Sequence, residues 1–129
     1  MPVRKTIGGF EADLKKFAKT INVDFGKVKR GVAFDLFGQI TKETPSDTGR
    51  ARASWMMSDG QPSTEVAPEG KHRTNGKVTA TFADPFENVW IVNNLPYIFA
   101  LEFGHSDQAP QGMVRVALTN VEAGILSKL

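Results

Sequence analysis

The sequence predicts an α+β fold with a long N-terminal amphipathic helix (or two), a small, mostly antiparallel sheet, a short helix and a C-terminal helix. Three observations predict it: helical spacing of apolar residues at the start, short alternating segments in the middle, and helical spacing again at the end. The 129 residues are the size of one domain. We therefore predict a single domain over residues 1–129, with an extended loop or arm at residues 58–76 inside it.

The N-terminal third carries an apolar stripe at intervals of three and four residues, which is typical of an amphipathic helix. The stripe consists of Phe10, Leu14, Phe17 and Ile21, followed by Phe25, Val28, Val32, Leu36 and Ile40. Asp24 is a good N-cap residue, so residues 22–24 either separate two helices or lie within one long helix. The helix should end near Glu43, because Thr44 precedes Pro45 and a residue before proline avoids the α region.

Three later segments alternate apolar and polar residues, as half-buried strands do. The first begins at Arg50, with Ala51, Ala53, Trp55 and Met57 on the core face. The second covers residues 77–82 and the third residues 89–92, closed by two asparagines. Between the first two, residues 58–76 contain two prolines and three glycines and almost no apolar side chains. We expect this loop to be mobile or functional, and replaceable by a short hairpin.

Two helical segments complete the chain. Pro96 should open a short helix over residues 97–103 that ends at Gly104. Residues 112–129 should form the C-terminal helix, and Val114, Ala117, Val121 and Ile125 should share its buried face.

Catalytic motifs are weak in this sequence. Asp47-Thr48-Gly49 matches the tripeptide of aspartic proteases, but its neighbours are polar and Arg50 follows. That chemistry needs a buried turn in which two carboxylates share one proton. No phosphate-binding glycine loop, paired-histidine motif or nucleophile elbow occurs. We therefore predict no catalytic and no cofactor-binding residues, and no enzyme activity.

Metal ligation is equally weakly supported. The chain has no cysteine and two histidines, His72 and His105. His105 has Asp107 and Glu102 near it in sequence, whereas a structural metal site usually takes four ligands. His72 lies in the polar loop and should be an exposed surface histidine. We predict no metal site and no cofactor.

Charge is unevenly distributed along the chain. Residues 1–52 hold eleven Lys or Arg and six Asp or Glu, whereas residues 53–129 hold five and eight. The basic half is either a solvated helix face or a surface for an acidic partner or nucleic acid. Aromatic interleaving and DNA-reading motifs are missing, so we do not expect sequence-specific DNA recognition. No apolar run approaches a membrane span, and we predict neither a signal peptide nor membrane association.

Two segments resemble a bacteriophage family. Residues 44–55 (TPSDTGRARASW) are similar to a block that follows a long amphipathic helix in neck and tail-completion proteins of long-tailed phages. Residues 94–104 (NLPYIFALEFG), followed by 105–114 (HSDQAPQGMV), resemble a second block of that family, which includes minor tail protein Z-like sequences. The departures are Ser46, where an apolar residue is expected, and Ala51, where leucine is common. The resemblance covers the chain apart from residues 58–76.

The resemblance implies a structural virion protein, assembled in the host cytoplasm. Such a subunit would form a homo-oligomeric ring, a hexamer or alternatively a dodecamer, at the neck or the head-proximal end of the tail. Head-closure, tail-terminator or tail-tube proteins would be its neighbours, and DNA would pass through without sequence-specific contact. In this interpretation Trp55 anchors the sheet and Glu102 accepts hydrogen bonds from the loop that comes after it. The alternative is a cytoplasmic nucleic-acid-associated protein.

Overall fold

The N-terminal third forms two helices. The computed structural model describes residues 8–45, 48–103 and 112–126, with side chains from residue 11 to residue 125. Helix α1 spans Gly8–Ile21 and helix α2 spans Phe25–Glu43. The break falls at residues 22–24, one of the two alternatives that the sequence left open. Asp24 caps α2 by accepting a hydrogen bond from the Lys27 N–H, at 3.4 Å.

The segment after α2 differs from the prediction. Arg50–Ala53 is a one-turn helix, α3, and the first strand begins only at Trp55. The four residues RARA fit an alternating pattern and a helical turn equally well, so the period-two assignment to a strand was wrong here. Gly49, immediately before α3, has a φ of 79°, in the left-handed region that favours glycine.

A three-stranded sheet comes next, in the order β2-β1-β3. Strand β1 is Trp55–Asp59, β2 is Lys77–Val78 and β3 is Val89–Asn93. Strands β1 and β3 pair antiparallel over five residues, whereas β1 and β2 pair parallel over two. The fold is therefore α+β, with helices around a small mixed sheet.

The parallel pairing of β1 and β2 overturns the hairpin expectation. Lys77 lies opposite Met56, near the start of β1, so the chain must return from Asp59 along the sheet before β2 begins. A direct connection from Asp59 to Gly76 cannot make that return, because only antiparallel strands are joined by a tight turn. The start of the predicted loop is corrected as well, since residues 58–59 belong to β1.

The second predicted strand is shorter than expected. Beyond Val78 the chain still runs beside β1, but it no longer pairs with it as a regular strand. The N–H groups of Thr79 and Ala80 both donate to the Met57 carbonyl, at 2.8 and 3.2 Å. Phe82 has a φ of 57°, which is unusual for a residue with a side chain and ends the extended conformation.

The core lies where α2 and the C-terminal helix meet the sheet. Helix α4 spans Ile98–Glu102 and helix α5 spans Val114–Leu126. The main cluster consists of Ala33, Phe37, Ile40, Trp55, Met57, Met113 and Ala117. A second cluster joins α1, α2 and α5 through Leu14, Ala18, Val28, Val121 and Ile125. These clusters confirm the core-facing positions predicted for Trp55 and for the last helix.

Candidate interaction surfaces

The first family-like block is held together by its own polar groups. The Trp55 indole N–H donates to the Thr44 hydroxyl at 2.8 Å, and that hydroxyl bonds the Ile40 carbonyl at 2.6 Å. Arg52 donates to the carbonyls of Lys42 and Thr44, at 3.1 and 2.9 Å. These hydrogen bonds fix the end of α2 against the start of β1. Thr44, Arg52 and Trp55 of the block therefore have a structural role.

The second block is organised by Glu102. This side chain is buried and faces the first turn of α5. Its carboxylate accepts from the N–H groups of Met113 and Val114 at 3.0 and 2.7 Å, and from the Arg115 N–H at 3.3 Å. Arg115 also donates to the carboxylate through Nε at 2.9 Å, and to the Glu102 carbonyl. Glu102 was expected to accept hydrogen bonds from the loop that follows it, and residues 104–111 of that loop lie outside the described residues. The observed bonds come instead from Met113 and the start of α5, which the carboxylate caps.

The residues weighed for chemistry are not brought into a reactive arrangement in the described part of the chain. Asp47, His105 and Asp107 lie outside the described residues. His72 is half-buried, its N–H donates to the Thr48 carbonyl at 2.7 Å, and its Nε2 lies 2.5 Å from the Pro68 carbonyl. Within residues 8–45, 48–103 and 112–126, no group of three or more potential metal ligands comes together.

The polar loop makes several contacts with the rest of the domain. The Ala67 N–H donates to the Ser54 hydroxyl at 3.1 Å, and the Ala67 carbonyl accepts from Arg50 Nε at 2.9 Å. The Asn94 amide donates to the carbonyls of Ser63 and Glu65, at 2.9 and 3.2 Å. These bonds fasten the middle of the loop, while Val66 remains exposed.

Several cations of the basic half are engaged within the chain. Lys29 donates to the carbonyls of Pro85 and Glu87, at 2.9 and 2.5 Å. Arg50 and Arg52 bind the main-chain carbonyls named in the preceding paragraphs. Three cations of this half therefore brace loops through neutral carbonyl groups, which leaves their positive charge in place.

Exposed aromatic side chains form a surface around α4. Tyr97, Phe99 and Phe103 are 43%, 38% and 49% exposed, and we call these three residues the α4 aromatic surface. The rings of Phe99 and Phe103 are stacked with centroids 6.3 Å apart, and the Arg115 guanidinium lies 4.9 Å from the Phe103 centroid. Aromatic residues together with arginine are enriched at protein interfaces.

Phe86 is the most exposed large apolar residue described, at 82%. Its loop is braced: the Phe86 N–H donates to Asp84 Oδ1 at 2.9 Å, and Lys29 binds the flanking carbonyls. The sequence patterns did not single out this residue, although an aromatic in the turn-forming segment Asp-Pro-Phe-Glu was a signal for an exposed side chain.

No described helix is long and apolar enough to cross a membrane. Comparison with family models, with curated proteins and with solved structures gave no match.

Proposed function

We propose that this chain is a structural virion protein of a long-tailed phage, a ring subunit at the neck or the head-proximal end of the tail. Six copies, or alternatively twelve, surround the DNA channel and join the tail to the head. Neighbouring head-closure, tail-terminator or tail-tube proteins contact the ring. DNA passes through it without sequence-specific contact, and the subunit has no enzyme activity.

The proposal rests mainly on one observation. The two segments that resemble the phage family hold neighbouring helices and strands together and also expose aromatic side chains. Thr44 and Trp55 hydrogen-bond each other, and Glu102 caps α5. Within the same second block, Tyr97 and Phe103 are left exposed. A residue pattern that fixes a fold and displays an aromatic surface suits an assembly protein. It leaves no described polar group in these blocks poised for catalysis.

The cytoplasmic nucleic-acid-associated protein is the alternative. A filter-binding measurement against double-stranded DNA separates the two. For the ring subunit we expect at most weak binding that collapses as salt rises and shows little sequence preference. Tight binding at physiological salt would favour the alternative.

A nonsense mutation in the gene, in the phage that carries it, tests the proposal. We expect lysates from a non-suppressing host to contain filled heads and finished tails that are not joined, as seen by negative-stain electron microscopy. A suppressing host is the matched control and should give joined particles. Normal particles without the protein would overturn the proposal.

The surface is tested by complementing that mutant with variant genes. The double change Tyr97→Ser and Phe103→Ser should leave the fold intact, because both side chains are exposed, and should abolish joining. The control Val78→Thr removes apolar character from an exposed residue on strand β2 and should restore joining.

A further inference from the structure

A shallow groove lies on the face formed by α1, α2 and α5. Its apolar wall includes Phe17, Val32, Val121 and Ile125, and Gly31 opens its floor. The volume is about 230 Å³, below the roughly 300–1,000 Å³ of a typical small-molecule site. The groove therefore fits one large side chain better than a cofactor or metabolite.

Gly31 has no evident packing role within its own subunit. A Cβ built on it meets no heavy atom within 4 Å among the described residues. Glycine inside a helix costs up to about 1 kcal/mol relative to alanine. Gly38 of the same helix is equally open, so Gly31 is distinguished by its place in the lining of the groove, where the missing side chain leaves room for a side chain from outside.

Phe86 has the properties of a side chain that enters such a groove. It projects from a short loop whose ends are fixed by Lys29 and by the bond from the Gly60 N–H to the Asn88 carbonyl, at 2.8 Å. A residue that is already held in place loses little entropy on binding, so burying its ring yields more net affinity. Aromatic anchors that fill pockets are the usual hot spots of interfaces.

The Phe86 loop and the groove lie on opposite sides of α2. The loop packs on the side of Gly26, where a built Cβ would lie 3.3 Å from Pro85 Cβ. A helix turns about 100° per residue, so Gly31 and Asp35 point roughly 140° and 180° away from Gly26. One subunit therefore presents the Phe86 loop and the groove on two different surfaces, as a head-to-tail contact requires.

Both signs of charge lie beside the Phe86 loop. Lys27 and Arg30 are exposed on α2, and the exposed acidic residues Asp84 and Glu87 flank Phe86. Asp35 is an exposed residue lining the groove. The apolar ring and the groove, rather than charge, therefore define this contact.

We propose that Phe86 of one copy of this chain inserts into the groove between α1, α2 and α5 of the next copy. This contact deepens the proposed function, because a repeated head-to-tail contact closes into a ring when its rotation permits. It rests on the proposed ring, but it is testable on the purified protein alone.

The absence of native cysteine makes a cross-linking test clean. Glu87→Cys protein, which keeps Phe86 and carries the thiol at the exposed residue beside it, is mixed with Asn120→Cys protein and treated with a short bismaleimide; Asn120 is exposed and lines the groove. We expect cross-linked dimer at least about tenfold above a control mixture, because docking raises the local thiol concentration to the millimolar range. The control replaces Asn120→Cys by Lys71→Cys, an exposed position outside the residues that line the groove.

A substitution that fills the groove provides a second test in the same cross-linking experiment. Gly31→Leu, added to the Asn120→Cys protein, should bring the yield down to the control level. Gly38→Leu, at an equally open glycine of α2 that does not line the groove, should leave it unchanged. Circular dichroism establishes that both variants fold. A yield equal to the Lys71→Cys control in the first mixture would overturn the inference.

The two proposals fail separately. Unjoined heads and tails in the nonsense mutant, together with no specific cross-link, would leave the ring but move its subunit contact elsewhere. A specific cross-link together with normal particles in the mutant would leave the contact but remove the neck function.

Discussion

Replacing Trp55 by alanine should destabilise the domain strongly. The side chain is 4% exposed and belongs to the main core cluster with Phe37, Met57 and Ala117. Removing a large buried aromatic costs about 3–5 kcal/mol, through lost burial and the cavity that remains. The lost indole also deprives the Thr44 hydroxyl of its donor at 2.8 Å, a bond worth about 0.5–1.5 kcal/mol net.

Urea unfolding monitored by circular dichroism measures this cost. A double-mutant cycle with Trp55→Phe and Thr44→Val isolates the hydrogen bond and should give a coupling of about 0.5–1.5 kcal/mol. An unfolding free energy of Trp55→Ala within about 1 kcal/mol of the unmodified chain would refute the core assignment. A coupling near zero would refute only the hydrogen bond.

Three further substitutions test contacts that stabilise the fold. Glu102→Ala leaves the N–H groups at the start of α5 without their acceptor and should lower the unfolding free energy, measured with urea, by about 1–3 kcal/mol. Arg115→Ala should cost less than about 1 kcal/mol because its side chain is 54% exposed; equal costs would mean that the ion pair, and not the cap, stabilises this end. Asp59 accepts hydrogen bonds from the N–H groups of Thr81 and Phe82, which lower its pKa below the ordinary value. A carboxylate with a lowered folded pKa stabilises the fold above its unfolded pKa and loses that effect as the pH falls. The stability difference between the unmodified chain and Asp59→Asn should therefore be present at neutral pH and shrink below about pH 4; a difference independent of pH would contradict this.

Elements whose signals are local could be predicted from the sequence. The spacing of the first apolar stripe predicted helix over the region of α1 and α2, whereas the break at residues 22–24 was one of two alternatives that the sequence left open. The RARA segment was misassigned because four residues cannot distinguish a period of two from one helical turn. The left-handed Gly49 and the bond from the Asn93 amide to the Ala51 carbonyl, at 2.9 Å, are tertiary features that alternation does not encode.

Features that depend on distant contacts were harder to predict. The parallel pairing of β1 and β2 results from the path of the long loop, and no turn-forming residue in the sequence predicts that pairing. The expectation for Glu102 came with the family resemblance and named the loop after it, whereas its donors lie at the start of α5. The groove combines residues from three helices, which no local pattern indicates. The placement of Phe86 and Gly31 on opposite sides of α2 became visible only with the fold.

The neck of the assembled particle, reconstructed by electron cryomicroscopy with the symmetry left free, tests the central claim most directly. We predict a ring of six or twelve copies around the DNA channel. Each copy should show α2 and α5 packed against the small sheet, with Phe86 against the next subunit. A neck and head-proximal tail fully explained by other chains, with no density matching this fold, would contradict it.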